Sequence, residues 1–262
     1  MKSLKAIFLS LLALAASVYA SAGRQEQDDP DPAKAAAIIR ESIKARGGDT
    51  YIKVTTTVSQ GQFTPFEKGI SLFPQNFVDY IIYPDRERTE FGKGDTKFVQ
   101  SNSGNTGWIY DANQKAIRDQ TDEQIKNFQQ TIRYDLDNLL RRAWQEPGAK
   151  LVYLGRREAW KNTFSEAVRI DFADGASATL HFDMRTHLPL MTEYKTVNGE
   201  TTTNNQARYF RWVGFGGVMY PTIQDFYREG RQTARANFDT VSFNSNIPEK
   251  LFAKPSNIKE VK

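Results

Sequence analysis

The segment RYFRWVGFGGVMYP, residues 208–221, contains the residues whose spacing comes nearest to phosphate chemistry: Gly214, Gly216 and Gly217. A phosphate-binding loop requires a strand, then glycines, then a helix whose first backbone amides face the anion. Here the glycines precede VMYPTI, which is rich in β-branched and aromatic residues and contains Pro221. Such residues favour a strand over a helix. The sequence therefore predicts a hairpin turn at the glycines and no nucleotide site.

Histidine, a frequent metal ligand and general base, occurs only at His181 and His187. The first falls within a predicted strand and the second in the following turn, so a metal site would need carboxylates as its other ligands. A Ser-His-Asp triad stays open, although the sequence has no G-x-S-x-G elbow. No acidic pair stands out as the two carboxylates of a glycosidase. We predict no catalytic residue, no metal and no cofactor, and expect the protein not to be an enzyme.

Aromatic residues are abundant, with 17 Phe, 11 Tyr and 4 Trp, and many fall at alternating positions of predicted strands. Such rings either fill an ordinary core or line an apolar cavity between a curled sheet and the helices that cover it. Composition alone favours the core. Which interpretation applies depends on where the strands and helices that carry these rings lie.

The first residues of the chain have the pattern of a signal peptide. A basic start and an apolar run from Ala6 to Ala16 lead to small residues that predict cleavage after Ala20, or alternatively after Ala22. The apolar run is too short to span a bilayer comfortably. We therefore expect export to the periplasm. The predicted organisation is a signal peptide at 1–20, a flexible N-terminus at 21–30 and a single domain at 31–262.

The cysteine count and the net charge limit the kinds of cross-link, modification and partner that the sequence allows. The sequence has no cysteine, so no disulfide supports the exported fold and no lipidation site follows the leader. The formal net charge of +4 includes Lys2 and Lys5, and without those two residues it falls to +2. Basic residues are interspersed with acidic ones, whereas a nucleic-acid binder needs a clustered basic stripe. We expect no nucleic-acid partner.

The order of elements predicts an antiparallel sheet. An N-terminal helix has Asp31 as its cap, Pro32 in its first turn and Gly47–Gly48 at its end. Strands follow over Tyr51–Tyr83, and the second half consists of hairpins, one with the strong turn signal Asn198–Gly199. No strand–helix–strand rhythm repeats, which disfavours a parallel sheet. A long antiparallel sheet has to curl, close or be covered.

A second helix is predicted from Asp122 to Trp144. Thr121 and Gln124 have capping-box spacing at its start, and Pro147 follows its end. Its apolar face consists of Ile125, Phe128, Ile132, Leu136, Leu139, Leu140 and Ala143.

Four stretches in this order resemble the LolA-like outer-membrane lipoprotein-sorting proteins, which share a fold with LolB and RseB: AIIRESIKARGG, FVDYIIYPDRERTEF, GNTGWIYD and NIPEKLFAKP. The resemblance covers Ala35 to Pro255, with Trp108 and Tyr110 at matching places. It implies a fold that is mainly β with α, an incomplete, strongly curved antiparallel β-barrel covered by α-helices. In the better-known carriers an arginine before the proline of the second stretch helps to fasten the lid. Here that latch position is Tyr83.

The resemblance implies a soluble periplasmic carrier that holds acyl chains of a lipid or lipoprotein between sheet and helices, for envelope lipoprotein sorting. We expect a monomer, with membrane-bound donor and acceptor proteins as further partners. The alternative is a non-enzymatic envelope sensor or protein-interaction module of the same fold. The expected cavity lining is Tyr80, Ile82, Trp108, Tyr110, Ile125, Phe128, Ile132, Leu136, Leu139, Leu140, Ile170, Phe172, Leu180 and Phe182.

Overall fold

The computed structural model describes residues 31–261, so the predicted leader and flexible N-terminus lie outside the described residues. The main element is one antiparallel sheet of 14 strands. In chain order the strands are β1 (Thr56–Glu67), β2 (Ile70–Ser71), β3 (Gln75–Ile82), β4 (Arg86–Phe91), β5 (Phe98–Ser103), β6 (Thr106–Asp111), β7 (Ala116–Asp119), β8 (Lys150–Trp160), β9 (Thr163–Asp171), β10 (Ser177–Phe182), β11 (Pro189–Asn198), β12 (Thr201–Phe215), β13 (Val218–Arg228) and β14 (Arg231–Phe243). The α-helices are α1 (Pro32–Ala45), α2 (Asp49–Ile52), α3 (Asp122–Arg133) and α4 (Leu136–Arg141), and short 3-10 turns span Gly94–Thr96, Ala143–Gln145, Glu249–Leu251 and Ile258–Val261.

Two meanders make up the sheet, and its first and last strands join them. β1 pairs with β14, so β3 to β7 continue the sheet on one side and β13 down to β8 on the other. The ends of this path, β7 and β8, are consecutive in sequence, and the connection between them carries α3 and α4. The predicted incomplete, strongly curved barrel covered by helices is confirmed. Among the described residues no helix is both long and apolar enough to cross a membrane.

The prediction of one continuous helix from Asp122 to Trp144 is wrong. Its capping box is present, because the Thr121 hydroxyl accepts from the Gln124 backbone N–H and the Gln124 side chain reaches back. The helix stops at Arg133, and Asp135 then takes a non-helical conformation. The Asp135 carboxylate accepts hydrogen bonds from the backbone N–H of Asp137 and Asn138, at 2.9 and 3.3 Å. An aspartate that caps the following residues favours a new helix start over helix continuation.

The glycine stretch forms the predicted hairpin turn. β12 ends at Phe215, Gly216 and Gly217 have positive φ, and β13 begins at Val218. The tip of this hairpin packs against the end of α1, where a Cβ added to Gly47 would lie 2.4 Å from the Gly217 carbonyl oxygen. Glycine is therefore required at Gly47 by close backbone approach as well as by its φ of 123°. These glycines form the turn of a strand pair that packs against α1. A strand follows them, so they lack the helix that a phosphate-binding loop requires.

Side chains alternate between the two faces of the sheet. The concave face carries the main core, in which α1 and α4 pack on strands of the second meander. On the convex face of the first meander lies a smaller cluster that contains Val99, Trp108 and Val261. The C-terminal segment crosses this face, since Trp108 Nε1 and Arg88 Nη1 donate to the carbonyls of Phe252 and Leu251, each at 2.8 Å. The two faces therefore bury different sets of aromatic residues.

Candidate ligand cavity

A cavity of about 220 Å³ lies between the concave face of the sheet and the junction of α3 and α4. Both meanders contribute to its wall, so the sheet must curve strongly around it. The residues of the helical junction that cover it are Thr131, Ile132, Tyr134, Asp135 and Leu136. The strand residues that line it are Phe63, Phe77, Asp79, Ile81, Glu87, Thr89, Phe91, Tyr194, Ala207, Tyr209, Tyr220, Gln224, Phe226, Ala236 and Phe238.

Aromatic rings form much of the wall and pack edge to face. The Phe77 and Phe238 rings lie 5.5 Å apart at 89°, and Tyr220 meets Phe238 at 5.2 Å and 85°. On the lid side Tyr134 stacks on Tyr194, with ring centroids 4.5 Å apart and planes at 20°. These separations are those of favourable aromatic pairs. The wall is thus apolar and largely formed by side chains with few rotatable bonds.

Three carboxyl groups interrupt this apolar wall. Burial raises the pKa of Asp79 to about 7, against a 2.8 Å hydrogen bond from the Thr89 hydroxyl and with help from the charge of Asp135. Burial, together with the charges of Asp79 and Asp135, holds the pKa of Glu87 well above its usual range. Burial also raises the pKa of Asp135 to about 6, and the neighbouring Asp137 charge adds to this rise. Among the described residues, no lysine, arginine or histidine lines the cavity.

A second buried polar cluster fastens α4 beside the cavity. Asp137 Oδ1 accepts from Arg46 Nη1 at 2.5 Å and from the Tyr51 hydroxyl at 2.8 Å, and Oδ2 accepts from the Tyr83 hydroxyl at 2.8 Å. Burial alone would raise the pKa of Asp137, but the charges of Arg46 and Arg141 and the two tyrosine hydroxyls hold it at about 2. We call these five residues the α4 clamp. It joins both N-terminal helices and the end of β3 to the lid.

Tyr83, the residue at the predicted latch position, therefore contacts the lid directly. The Arg141 guanidinium also lies over its ring, 4.0 Å from the centroid. The positive charges beside Asp137 are those of Arg46 and Arg141, which come from other elements. Whether the clamp works as a latch stays a prediction.

The structure brings only part of the predicted lining together. Ile132 and Leu136 line the cavity. Phe128 lies in a shallower depression on the other side of α3, and Ile125 is half-buried on the same helix. Six residues belong instead to the main core: Leu139, Leu140, Ile170, Phe172, Leu180 and Phe182.

Tyr80, Ile82, Trp108 and Tyr110 lie on the convex face, away from the cavity. Strand pairing aligns Tyr80, Arg88, Ser101 and Trp108 across β3 to β6, and the C-terminal segment covers them. The placement of these four in the cavity is a parity error, because a shift of one residue moves a strand side chain to the opposite face.

The missed lining residues Phe77, Asp79 and Ile81 had a signal in the sequence. If Tyr83 faces the lid, the two-residue period of a strand places Ile81, Asp79 and Phe77 on that same face. Glu87 and Thr89 follow the same alternation on the next strand. Nothing local in the sequence indicates that Asp135 joins them from the helical connection.

In place of the Ser-His-Asp triad left open by the sequence, His181 contacts a serine and a glutamate. Ser165 Oγ lies 2.8 Å from His181 Nδ1, and His181 Nε2 lies 3.1 Å from Glu193 Oε2. However, Ser165 is 0% exposed and also donates to the Arg157 carbonyl at 3.1 Å. A nucleophile must reach the reacting atom, and this hydroxyl reaches no substrate in this conformation. The group lies on the convex face and stabilises contacts between strands.

No protein-family profile matches the chain. No curated protein sequence matches it significantly. The structure is similar to a DUF1329 family protein from Desulfovibrio piger, with a TM-score of 0.58 and 12% identity over 86% of this chain and 98% of the other. It is also similar to an outer membrane lipoprotein-sorting protein domain from Vibrio parahaemolyticus (TM-score 0.54, 10% identity, 86% and 98% covered). A LolA-superfamily protein from Nitrosomonas europaea gives a TM-score of 0.54, with 12% identity over 84% and 97%.

These similarities define the class of fold. The chain has a LolA-like fold, as the motifs of its sequence predicted. At 10–12% identity the similarity extends to the fold alone.

Proposed function

We propose that the protein is a periplasmic carrier that holds an apolar chain of a lipid or lipoprotein in the cavity under α3 and α4. The observation that carries this proposal is the aromatic-lined cavity between a curved sheet and a separately fastened lid. Binding requires no covalent step. Membrane-bound donor and acceptor proteins would load and unload the cargo.

The energetic reason for such a carrier is the hydrophobic effect. Each buried methylene gains about 0.8 kcal/mol, so a chain of ~14 methylenes gains on the order of 11 kcal/mol by leaving water. A chain with that penalty does not cross an aqueous compartment unaided. A closed apolar site supplies the alternative environment.

The size of the cavity requires a mobile lid. At about 220 Å³ the cavity is only moderately larger than a cavity of ~150 Å³ that holds benzene. It therefore accommodates one end of a long chain while α3 and α4 stay closed. We propose that the junction at residues 134–135 moves away from the sheet to admit the rest.

An exposed apolar loop supports exchange with a membrane. Ile70, Leu72 and Phe73 are 70%, 46% and 92% exposed, and they follow β1 beyond the cavity residue Phe63. Large apolar side chains clustered on a surface mark contact sites. We propose that this loop touches the bilayer while the chain leaves or enters the cavity.

The binding step is tested with a neutral hydrophobic dye, N-phenylnaphthylamine, and with native mass spectrometry of protein purified under mild conditions. We expect saturable dye binding, displacement by long-chain lipids, and co-purified acyl species. Ala236 lines the cavity wall, so Ala236→Phe should abolish binding by filling it, whereas Thr240→Phe, at an exposed position of the same strand, should not. A protein that binds neither dye nor lipid would instead favour the sensor or interaction module.

The membrane step has its own variant. We expect Phe73→Ser to slow lipid transfer to vesicles severalfold. Dye affinity should not change, because the Phe73 ring is exposed and does not line the cavity. Its effect on stability should stay within about 0.5 kcal/mol, as for most surface substitutions. Unchanged transfer rates would remove the loop from the proposal and leave the cavity in it.

A further inference from the structure

We infer that the cavity selects an apolar chain that carries a positively charged nitrogen, such as a long-chain aliphatic amine with an oxygen near the nitrogen. This inference rests on the proposed function and names the ligand class of the same cavity. Three features of the wall support it: its unbalanced charge, its rings and the Tyr220 hydroxyl, whose one contact is at the outer limit of a hydrogen bond.

The charge of the wall is unbalanced. Asp79, Glu87 and Asp135 face the cavity, and no basic residue from the described range 31–261 joins its lining. Asp79 accepts one side-chain hydrogen bond, and Asp135 accepts two from the backbone of α4. Within the described part of the chain no hydrogen bond is recorded to the Glu87 carboxylate, which is the strongest candidate for a ligand contact. A buried carboxylate needs a proton or a cationic partner.

The basic groups of the α4 clamp, beside the cavity, make their contacts outside it. Arg46 pairs with Asp137, and Arg141 lies over the Tyr83 ring and donates to the Val54 carbonyl. The Arg141 charge acts on Asp135, but neither arginine lines the cavity. A cation that replaces the proton on Asp79 or Glu87 would therefore come from a ligand.

The aromatic wall suits an organic cation better than a metal ion. Among the described residues no three His, Cys, Asp or Glu side chains are arranged to hold a metal. The Phe63 and Phe91 rings, 5.5 Å apart, and the Phe77–Phe238 pair lie in the same wall as the carboxyls. Ring faces attract ammonium groups, and the attraction grows when the site is dry. The same rings accept the apolar chain.

Tyr220 provides an observation that does not depend on the acids. Its side chain lines the cavity and is only 7% exposed. Its one recorded hydrogen-bond contact is from the Gln224 amide nitrogen at 3.5 Å, the outer limit of a hydrogen bond. Among the described residues its own O–H therefore has no acceptor, a condition that a ligand oxygen would relieve. We therefore expect the ligand to carry an oxygen near its nitrogen, which would accept a hydrogen bond from the Tyr220 hydroxyl.

A series of matched ligands tests the inference in the wild-type protein. Dodecylamine, dodecanol and dodecanoate have the same chain and differ in the charge of the head group. We expect dodecylamine to displace N-phenylnaphthylamine at a concentration about 10-fold lower than dodecanol, since bonds to a charged partner are the stronger ones. Dodecanoate should be the weakest. Equal potency of the three would overturn the inference and leave the carrier function standing, whereas failure of all three would count against both.

Two variants localise the effect. Glu87→Gln and Asp79→Asn keep the shape of the cavity and remove one charge each, so each should reduce the preference for dodecylamine over dodecanol severalfold, from about 10-fold towards none. Glu200→Gln removes the same charge at an exposed turn between β11 and β12 and should change nothing. An undiminished amine preference in both cavity variants would refute the assignment. If one variant fails to fold, the other variant and the wild-type series still decide.

Discussion

Asp135 and Asp137 lie two residues apart at the start of α4, and their carboxyl groups have opposite properties. Asp137 faces the clamp, where Arg46, Tyr51 and Tyr83 all donate to it and its pKa is about 2. Asp135 faces the cavity with Asp79 and Glu87, and burial raises its pKa to about 6. Asp137 is buried in the first turn of α4, and Asp135 is the half-buried N-cap of the same short helix. The presence of a basic partner separates a group that fastens the lid from one that is available to a ligand.

The largest expected effect comes from breaking the clamp. Asp137→Asn leaves the Arg46 guanidinium, only 1% exposed, without its charged partner. Removal of one member of a buried pair destabilises by about 3–5 kcal/mol, because the remaining charge is uncompensated. Urea unfolding monitored by tryptophan fluorescence measures the loss.

The control is another Arg–Asp pair between a lid helix and the sheet region. Arg133 of α3 pairs with Asp174 in the turn between β9 and β10, where both side chains are partly exposed. Asp174→Asn should destabilise by less than about 1 kcal/mol, as exposed pairs do. Similar losses from both variants would mean that the clamp is no stronger a fastening than a surface pair.

The stability contributed by the cavity acids should depend on pH in the opposite direction from that contributed by Asp137. The pKa values of Asp79 and Asp135 are raised in the folded state to about 7 and about 6, so the folded protein holds protons that the unfolded chain has released. Stability should therefore decrease as pH rises from about 4, the pKa range of unfolded aspartate, to about 7, the folded pKa of Asp79. The folded pKa of Asp137 is lowered to about 2. Its contribution to stability is complete above about pH 4 and is lost as the pH falls from about 4 through the folded pKa of about 2.

Asp79→Asn removes one of the buried charges and should flatten the decrease. At pH 8 we expect a gain on the order of 4 kcal/mol relative to wild type, and less than half of that gain at pH 5. Denaturation midpoints at several pH values give the comparison, with Glu200→Gln as the exposed control. A pH profile identical to that of wild type would show that Asp79 is ionised without penalty, which would end the contrast between the two clusters.

The smallest effect tests a single bond of the clamp. Tyr83→Phe removes the hydroxyl that donates to Asp137 Oδ2 at 2.8 Å and keeps the ring under Arg141. The expected loss is about 1–3 kcal/mol, the range for a hydrogen bond to a charged group. The control is Tyr80→Phe, three residues earlier on the convex face. Among the described residues no side chain bonds to the Tyr80 hydroxyl, so its loss should leave the thermal unfolding midpoint unchanged. Equal effects would contradict the assignment of the two tyrosines to opposite faces.

Local patterns accounted for the elements and their ends. Asp31 caps α1 through the Lys34 N–H at 2.8 Å, and the capping box at Thr121 starts α3. The glycines after Phe215 make a turn. Each of these features depends on residues within a few positions of one another, and so a pattern rule finds them. The same rules missed the end of α3, because the apolar period continues across Asp135 while its carboxylate caps a new helix.

The contents of the cavity did not follow from such patterns. Tyr80 and Ile82 were placed in it although Asp79 and Ile81 line it, since either parity of β3 offers apolar side chains. Trp108 matched a family motif and proved to pack under the C-terminal segment. Parity becomes decidable only when some residue of the strand is known to face the lid.

By itself the sequence determined the antiparallel class, the helix caps, the turns and the LolA-like fold, because these depend on local conformational preference and on the order of short motifs. The tertiary structure alone decided that β1 pairs with β14, that Arg46 meets Asp137 across 91 residues of chain, and that Asp79, Glu87 and Asp135 share one cavity. Those contacts form where distant strands and helices meet. Burial there sets the charge of each group through desolvation and neighbouring charges, which no local pattern specifies.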